Sequence, residues 1–383
     1  MKKSAVLDDT RTLRRIDKSN MLELCLKTSE YCKEAITQSR RFKLPKKVQV
    51  SDKMQIKYRK PRNIIVAGMG GSAIGGDLLH DWLLNRVTTP VEVCRDYYLP
   101  AYANKETLVF VVSYSGETEE TLCALLDAIK RKCMVVVVAS GGTLISFAKK
   151  LLLPYIIVRS ELPQPRLAVP YLFFPLVIVM EKLGLVSGID KEVGETIHVL
   201  EVLAKENSPK ASLENNFAKK LAWELRLTIP VIYGFRQYRG VAWRFKSELN
   251  ENSKVPAKWE AFPELNHNDV VGWGASEKLT KNFTVVLIRD KDEPPEIRNR
   301  IESTKKLALC KVAKVLEIHA VGKSELAKMF SVLFLGDLTS VYLAILLGVD
   351  PSPVKIIAAM KNEMRRNYNI VERLEKEFDK LID

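Results

Sequence analysis

The 383-residue chain is poor in the residues that bind metals or form crosslinks: it has four histidines and six cysteines. His80, His198, His267 and His319 show no ligand spacing. Cys25, Cys32, Cys94, Cys123, Cys133 and Cys310 contain no Cys-x-x-Cys pair. A metal centre and a disulfide framework are therefore not expected, no cofactor is called for, and a reducing cytoplasm is the simpler setting. No apolar stretch follows Met1-Lys2-Lys3-Ser4, so a secretory leader is not expected. Residues 167–180 lack charge but are too short to cross a bilayer and carry Pro170 and Pro175. Residues 329–347 are long enough but are interrupted by Asp337. Both read as buried core helices, so no membrane role is expected. No Gly-Lys-Ser/Thr follows the glycine-rich turn, which excludes a P-loop, and no low-complexity tract or short-period repeat competes with a globular reading.

At 47% hydrophobic residues the chain can bury a sizeable core and divides into two domains by length. Its net charge of +14 suggests nucleic acid until it is located. Residues 1–62 hold 18 Lys or Arg against 7 Asp or Glu, leaving the remainder close to neutral. The excess belongs to an N-terminal arm, so nucleic acid is not the expected partner. The arm could touch an acidic surface or RNA, or it could be a solvated helix packed on the core, since residues 21–36 read as amphipathic.

Strand-like and helical segments alternate after a loop near residues 42–50. Strands are expected at 63–67, 91–94, 107–112, 134–139 and 155–158. Helices fall between them, notably at 73–85 and 118–131. After a helical crossover at 189–214, a second set places strands at 231–233, 283–289 and 315–320, with helices near 239–249, 295–308 and 324–347. Residues 355–381 read as one charged amphipathic helix. Such alternation predicts parallel sheets covered on both faces. The expected division is a basic helical extension at 1–60, one α/β domain at 61–190 and another at 191–383.

Two turns stand out at the carboxyl ends of strands: Gly68-Met69-Gly70-Gly71-Ser72 and Ser113-Tyr114-Ser115-Gly116-Glu117-Thr118. Open α/β sheets bind ligands at such ends. Glycines admit close backbone approach, helix N-termini offer free N–H groups to an anion, and four hydroxyls add to them. A phosphate on a small molecule is the natural guest. Gly68-x-Gly70-x-x-Ala73 also satisfies a loose dinucleotide fingerprint, with Glu92 or Asp96 as its acid. A nicotinamide site, however, has no use for the second, hydroxyl-rich turn. Ordinary helix capping by Ser115 or Thr118 is compatible with phosphate binding, because both use the same N–H groups.

Taken together the two turns resemble a sugar isomerase (SIS) domain. Arg239-Gly240-Val241-Ala242, Asn250-Glu251-Asn252 and Pro263-Glu264-Leu265-Asn266-His267-Asn268 narrow the resemblance to the archaeal bifunctional phosphoglucose/phosphomannose isomerase family. It runs from about residue 63 to the C-terminal helix. The resemblance implies two tandem SIS-type, doubly wound parallel-sheet domains behind the helical extension. It implies aldose–ketose isomerisation of glucose 6-phosphate and fructose 6-phosphate, together with mannose 6-phosphate, in a homodimer whose site lies between the units and is completed by the second subunit. Gly70, Gly71, Ser72, Ser113, Ser115 and Thr118 would hold the phosphate. Glu251 would carry the proton between C1 and C2, His267 would assist ring opening from the partner subunit, Lys361 would act at the ring oxygen, and Arg166 would steady the enediolate.

Those residue types suit the chemistry. A shielded carboxylate is a fitting carbon base, a fixed guanidinium answers enediolate charge, and imidazole titrates in the range a ring-opening relay needs. Some members of the family carry threonine where this chain has Val354, and valine keeps the shape but loses the hydroxyl. That departure leaves the glucose 6-phosphate reaction expected and bears on mannose 6-phosphate. The rival from another class is a non-catalytic sugar-phosphate regulator, for which the N-terminal segment would have to supply a DNA-binding helix-turn-helix; no tight turn between two short helices is evident there.

Overall fold

A computed structural model describes residues 5–159, 161–368 and 370–382, which group into two compact units. One contains residues 30–189 with 354–383, and the other residues 5–29 with 190–353.

The first unit is built on five parallel strands: β3 Asn63–Ala67, β4 Val91–Cys94, β5 Thr107–Ser113, β6 Met134–Ala139 and β7 Tyr155–Ile157. A two-stranded antiparallel hairpin, β1 Lys47–Ser51 and β2 Met54–Lys57, precedes them. The sheet order is β4-β3-β5-β6-β7, so the chain reverses direction of progress between β3 and β5. β5 and β6 are buried along their whole length and are runs of apolar, mostly β-branched residues, as strands covered on both faces should be.

The second unit holds four parallel strands: β8 Ile229–Phe235, β9 Lys258–Phe262, β10 Phe283–Arg289 and β11 Lys314–His319. They are arranged β11-β10-β8-β9. Counted from the first strand of each unit, both sheets follow the same order, 2-1-3-4, and the first adds a fifth strand. The helix Glu325–Leu346 is apolar enough and long enough to cross a membrane, but 94% of its apolar window is buried within the protein. It packs against the helices Phe217–Leu225 and Arg239–Glu248 as a core element. Gly336 lets it approach, since a Cβ there would sit 2.9 Å from the Phe245 ring.

The units cut across the expected boundaries at both ends of the chain. Residues 5–60 are not a separate arm. Leu7, Leu13, Met21 and Cys25 are buried, and the helix Met21–Leu26 packs on Glu325–Leu346. Asp8 accepts from the Leu213 N–H at 2.8 Å and pairs with the Lys219 ammonium at 3.1 Å. Residues from Glu30 onward serve the other unit: Tyr31 packs on Tyr171, and the Tyr58 hydroxyl donates to the Val135 carbonyl at 2.7 Å. At the other end, Lys130 pairs with Glu377 at 2.6 Å and Phe378 stacks on Phe147 at 3.9 Å, which ties the helix Ile370–Ile382 to the five-stranded unit.

The single helix expected at 355–381 is two, Lys355–Asn367 and Ile370–Ile382, because Tyr368 adopts extended angles. Residues 21–36 likewise divide at Lys27 into Met21–Leu26 and Thr28–Arg40. The hairpin occupies part of the segment read as a loop, and β9 was not anticipated at all. Its five residues, KWEAF, bury only Phe262 fully and carry no clean period.

Candidate active site

The two glycine- and hydroxyl-rich turns grow directly from the sheet order. The point where an α/β sheet reverses its progress leaves a crevice at the carboxyl ends of the two flanking strands. Here those strands are β3 and β5, and the two glycine- and hydroxyl-rich turns follow them. Their approach is close: a Cβ on Gly68 would sit 2.8 Å from the Val112 carbonyl oxygen. The helices that follow are Gly70–Leu83, with Met69 as N-cap residue, and Glu119–Lys130, with Thr118. Among the described residues no side chain caps either N-terminus. The hydroxyl of Thr118 pairs instead with that of Ser113 at 3.0 Å. Ser115 accepts from the Glu117 N–H at 3.2 Å, and Ser113 from the Gly116 N–H at 3.1 Å. Ser72 joins the turns by accepting the Tyr114 N–H at 3.0 Å. Two helix N-termini without side-chain caps thus lie beside four hydroxyls, the kind of arrangement that suits an anion.

Sequence reasoning missed what supports the second turn. Gly116 has φ +73°, and a Cβ on it would lie 2.0 Å from the Gly141 carbonyl oxygen. Glu117 accepts from both the N–H (2.7 Å) and the hydroxyl (2.9 Å) of Thr143, anchoring the turn to the start of the helix Gly142–Lys150. The run Ser140-Gly141-Gly142-Thr143 after a strand was the signal available.

Arg166 belongs to this neighbourhood. It lies buried in the short turn Pro165–Ala168, with its guanidinium donating to Gln164 Oε1 at 3.0 Å. A Cβ on Gly71 would meet the Pro165 carbonyl at 3.5 Å and the Arg166 Cα at 3.6 Å, so this turn lies against the first glycine-rich turn. A Cβ on Gly75 would come within 2.7 Å of the Leu172 carbonyl oxygen, and this tight packing of Gly70–Leu83 on Val169–Lys182 holds the two turns together. Lys361 lies in the same unit, on the helix Lys355–Asn367, whose described residues are all exposed.

In the other unit, Glu251 sits on a π-helical turn, Leu249–Ser253, that ends the helix Arg239–Glu248. Such turns are rare and concentrate at functional sites. A buried polar network supports this one. Arg244 makes a two-pronged bond to Asp337 (3.0 and 2.7 Å) and pairs with Glu248 at 3.1 Å. The Asn252 amide donates to Glu248 and to the Ser340 hydroxyl, both at 2.8 Å, while the Ser253 hydroxyl donates to the Ser340 carbonyl at 2.6 Å. Burial opposes the Arg244 charge, but Asp337 and Glu248 outweigh it and raise the guanidinium above its usual value. Glu251 is thus half-buried beside groups whose positions are tightly set.

His267 is exposed at the end of the turn Glu264–His267, which follows β9. The topology keeps it from the Glu251 of its own chain. The helical segment from Arg239 to Ser253 runs back along the sheet from the carboxyl end of β8, a rise of about 22 Å over its 15 residues. β9 then starts beside Val231 near the sheet's amino edge and climbs parallel to β8. Glu251 therefore lies toward the amino edge and His267 at the carboxyl edge. Among the described residues, no cluster of three His, Cys, Asp or Glu side chains could hold a metal ion.

Paired sheets of order 2-1-3-4, the first opening its reversal point onto a hydroxyl cradle, define the class: a tandem SIS protein. A model of the bacterial phospho-glucose isomerase C-terminal SIS domain matches residues 214–364. The fold is shared with a glucose-6-phosphate isomerase like protein from Thermus thermophilus, at 19% identity and a TM-score of 0.59, covering 92% of this chain and 99% of that one. The bifunctional phosphoglucose/phosphomannose isomerase of Caldicellulosiruptor bescii is 39% identical over 84% of this chain and 97% of its own length. That of Aquifex aeolicus is 34% identical over 80% and 91%. The chain belongs to the bifunctional phosphoglucose/phosphomannose isomerase family.

Proposed function

We propose that this protein interconverts fructose 6-phosphate with glucose 6-phosphate, and with mannose 6-phosphate, with Glu251 as the carbon base. The observation that carries the reading is the Glu251 turn: a half-buried carboxylate on a rare π-helical turn, set by an Arg244–Asp337–Asn252–Ser340 network, in a chain of this family. The turns around Ser72 and Ser113 take the phosphate. From the ketose side, Glu251 removes a proton from C1 and the electron pair forms the C1–C2 double bond of an enediolate. Arg166 answers the charge on its oxygens. Return of the proton to C2, with the O1 hydroxyl proton passing to O2 as the C1 carbonyl forms, gives the aldose, and the face of C2 that receives it decides between glucose and mannose. Val354 is the position that bears on that choice. His267 and Lys361 move the protons that open the ring. Since His267 and Glu251 of one chain lie toward opposite edges of their sheet, the histidine comes from a second copy of the chain.

A coupled assay with fructose 6-phosphate, glucose 6-phosphate dehydrogenase and NADP tests this. The protein forms glucose 6-phosphate, and Glu251→Gln lowers kcat by about 10²–10⁴-fold, the worth of a positioned base, while still binding fructose 6-phosphate. Normal turnover by the variant rejects the mechanism, and absence of product with the unaltered protein rejects the function. Mannose 6-phosphate in place of glucose 6-phosphate, followed in the reverse direction, tests the epimer.

A further inference from the structure

The Glu251 turn is held from a second side, by a residue that the reaction itself does not require. Lys254 ends the π-helical turn in the left-handed conformation, with φ 57° and ψ 32°. That position at a helix end favours glycine or asparagine, and a lysine there is strained. Its ammonium makes bonds that offset the strain. It donates to the carbonyls of Glu251 at 2.7 Å and Asn252 at 3.2 Å, and to those of Asp350 at 3.2 Å and Pro351 at 3.0 Å. The first two are among the carbonyls that a helix end leaves without partners. The second two belong to the turn that follows the core helix Glu325–Leu346, itself the element that carries Asp337 and Ser340. The Glu251 turn is therefore fastened to both the body and the end of one core element: by Asn252 and Ser253 at Ser340, and by Lys254 past its C-terminus.

We propose that Lys254 is a positioning residue for Glu251, one that sets the direction of the carboxylate by clamping the backbone carbonyl of the base itself. The proposal rests on the isomerase reading above. A base displaced by about 1 Å can lose about 10²-fold in rate with substrate binding intact. An ammonium that merely neutralised a helix end would leave turnover unchanged once a glycine relieved the strain.

Lys254→Gly separates the two, with Lys254→Arg as the conservative variant and Lys254→Met in place of the glycine variant should that one unfold. Expected is a K254G protein that melts no lower than the unaltered one, with kcat for fructose 6-phosphate down at least about 10-fold, KM within about twofold, and kcat partly recovered in K254R. A kcat in K254G within about threefold of the unaltered protein overturns the proposal. So does a loss carried by KM, or an arginine variant no better than glycine. If the unaltered protein itself turns over no fructose 6-phosphate, the isomerase reading fails first, and this inference fails with it.

Discussion

Gly116→Ala tests whether the phosphate cradle is built as described. Two penalties act at this position. An L-residue with φ near +73° costs about 1–2 kcal/mol. A Cβ 2.0 Å from the Gly141 oxygen and 2.9 Å from its carbon cannot be accommodated by rotating a side chain, because both atoms are backbone. Overpacking of that kind costs about 1–3 kcal/mol more. The sum is about 2–5 kcal/mol, and at about 2–4 °C per kcal/mol for a unit of this size the transition of the five-stranded unit should fall by about 4–20 °C. Gly184→Ala is the control. Gly184 has φ +68° in the same unit, with nothing within 4 Å of its Cβ position, so it carries the conformational penalty alone. Its expected shift is about 2–8 °C. Calorimetry of both variants, with and without fructose 6-phosphate, gives the difference directly. The alanine at 116 should also lose most of the stabilisation that the ligand confers, because Gly116 lies in the turn proposed to bind it. Equal shifts for the two variants would refute the close approach of Gly116 to Gly141, and with it the geometry of the second turn.

Arg244→Met should cost about 3–5 kcal/mol in urea unfolding, because Asp337 and Glu248 stay buried with their cation gone; a loss under about 1 kcal/mol contradicts the network. Mixing inactive Glu251→Gln and His267→Ala chains by unfolding and refolding together should restore about a quarter of normal turnover, since half of randomly paired dimers are mixed and one of their two sites is intact. No recovery means each site is built from one chain. Acid should weaken the second unit through Arg289. Burial pushes the carboxyls of Glu293, Glu302 and Glu317 up, but Arg289, with Arg298 helping at Glu293 and Lys305 at the other two, holds all three below the ordinary 4.5. Native values below the unfolded one mean a stabilisation that is complete above the unfolded value and is lost as pH falls through the lowered native values. Arg289→Met should therefore cost most near neutrality and progressively less in acid, and a penalty independent of pH would contradict this.

The parts of the fold legible in the sequence are those where one physical cause dominates. β5 and β6 are fully buried, so Thr107–Ser113 and Met134–Ala139 read as unbroken apolar runs. The two turns were legible because a glycine or hydroxyl cluster directly after such a run marks the end of a buried strand, where the backbone must turn tightly into a helix. β9 was not, since a half-exposed edge strand of five residues carries neither signal. The hairpin Lys47–Lys57 does alternate at a period of two, but its lysines and Pro45 mask the pattern. The closeness of Arg166 to Gly71 depends on tight packing of helices distant in sequence. The π-helical turn and the left-handed Lys254 break local preference outright. Where local preference is overridden, as at Lys254, the compensation lies in contacts 96 and 97 residues away, and no local pattern encodes those.

The two sheets share a strand order, yet their reversal points are lined differently. In the five-stranded unit the point opens onto hydroxyls and uncapped N–H groups. In the four-stranded unit the corresponding ends are those of β8 and β10, and the space is spent on an internal ion pair. The Tyr238 hydroxyl donates to Asp290 at 2.6 Å, and the buried Lys328 ammonium pairs with Asp290 at 2.9 Å and with Asp292 at 2.5 Å. Burial opposes the Lys328 charge, but the two aspartates prevail and raise its pKa. A phosphate brought to that point would meet a buried carboxylate already holding the local cation, and would have to displace it at the full cost of leaving Asp290 unpaired. The groups proposed for chemistry lie elsewhere on the same scaffold, with Glu251 toward the amino edge of the sheet and His267 at the carboxyl edge. On the proposed function, phosphate grip falls to the five-stranded unit together with Arg166 and Lys361, and the carbon base to the four-stranded one.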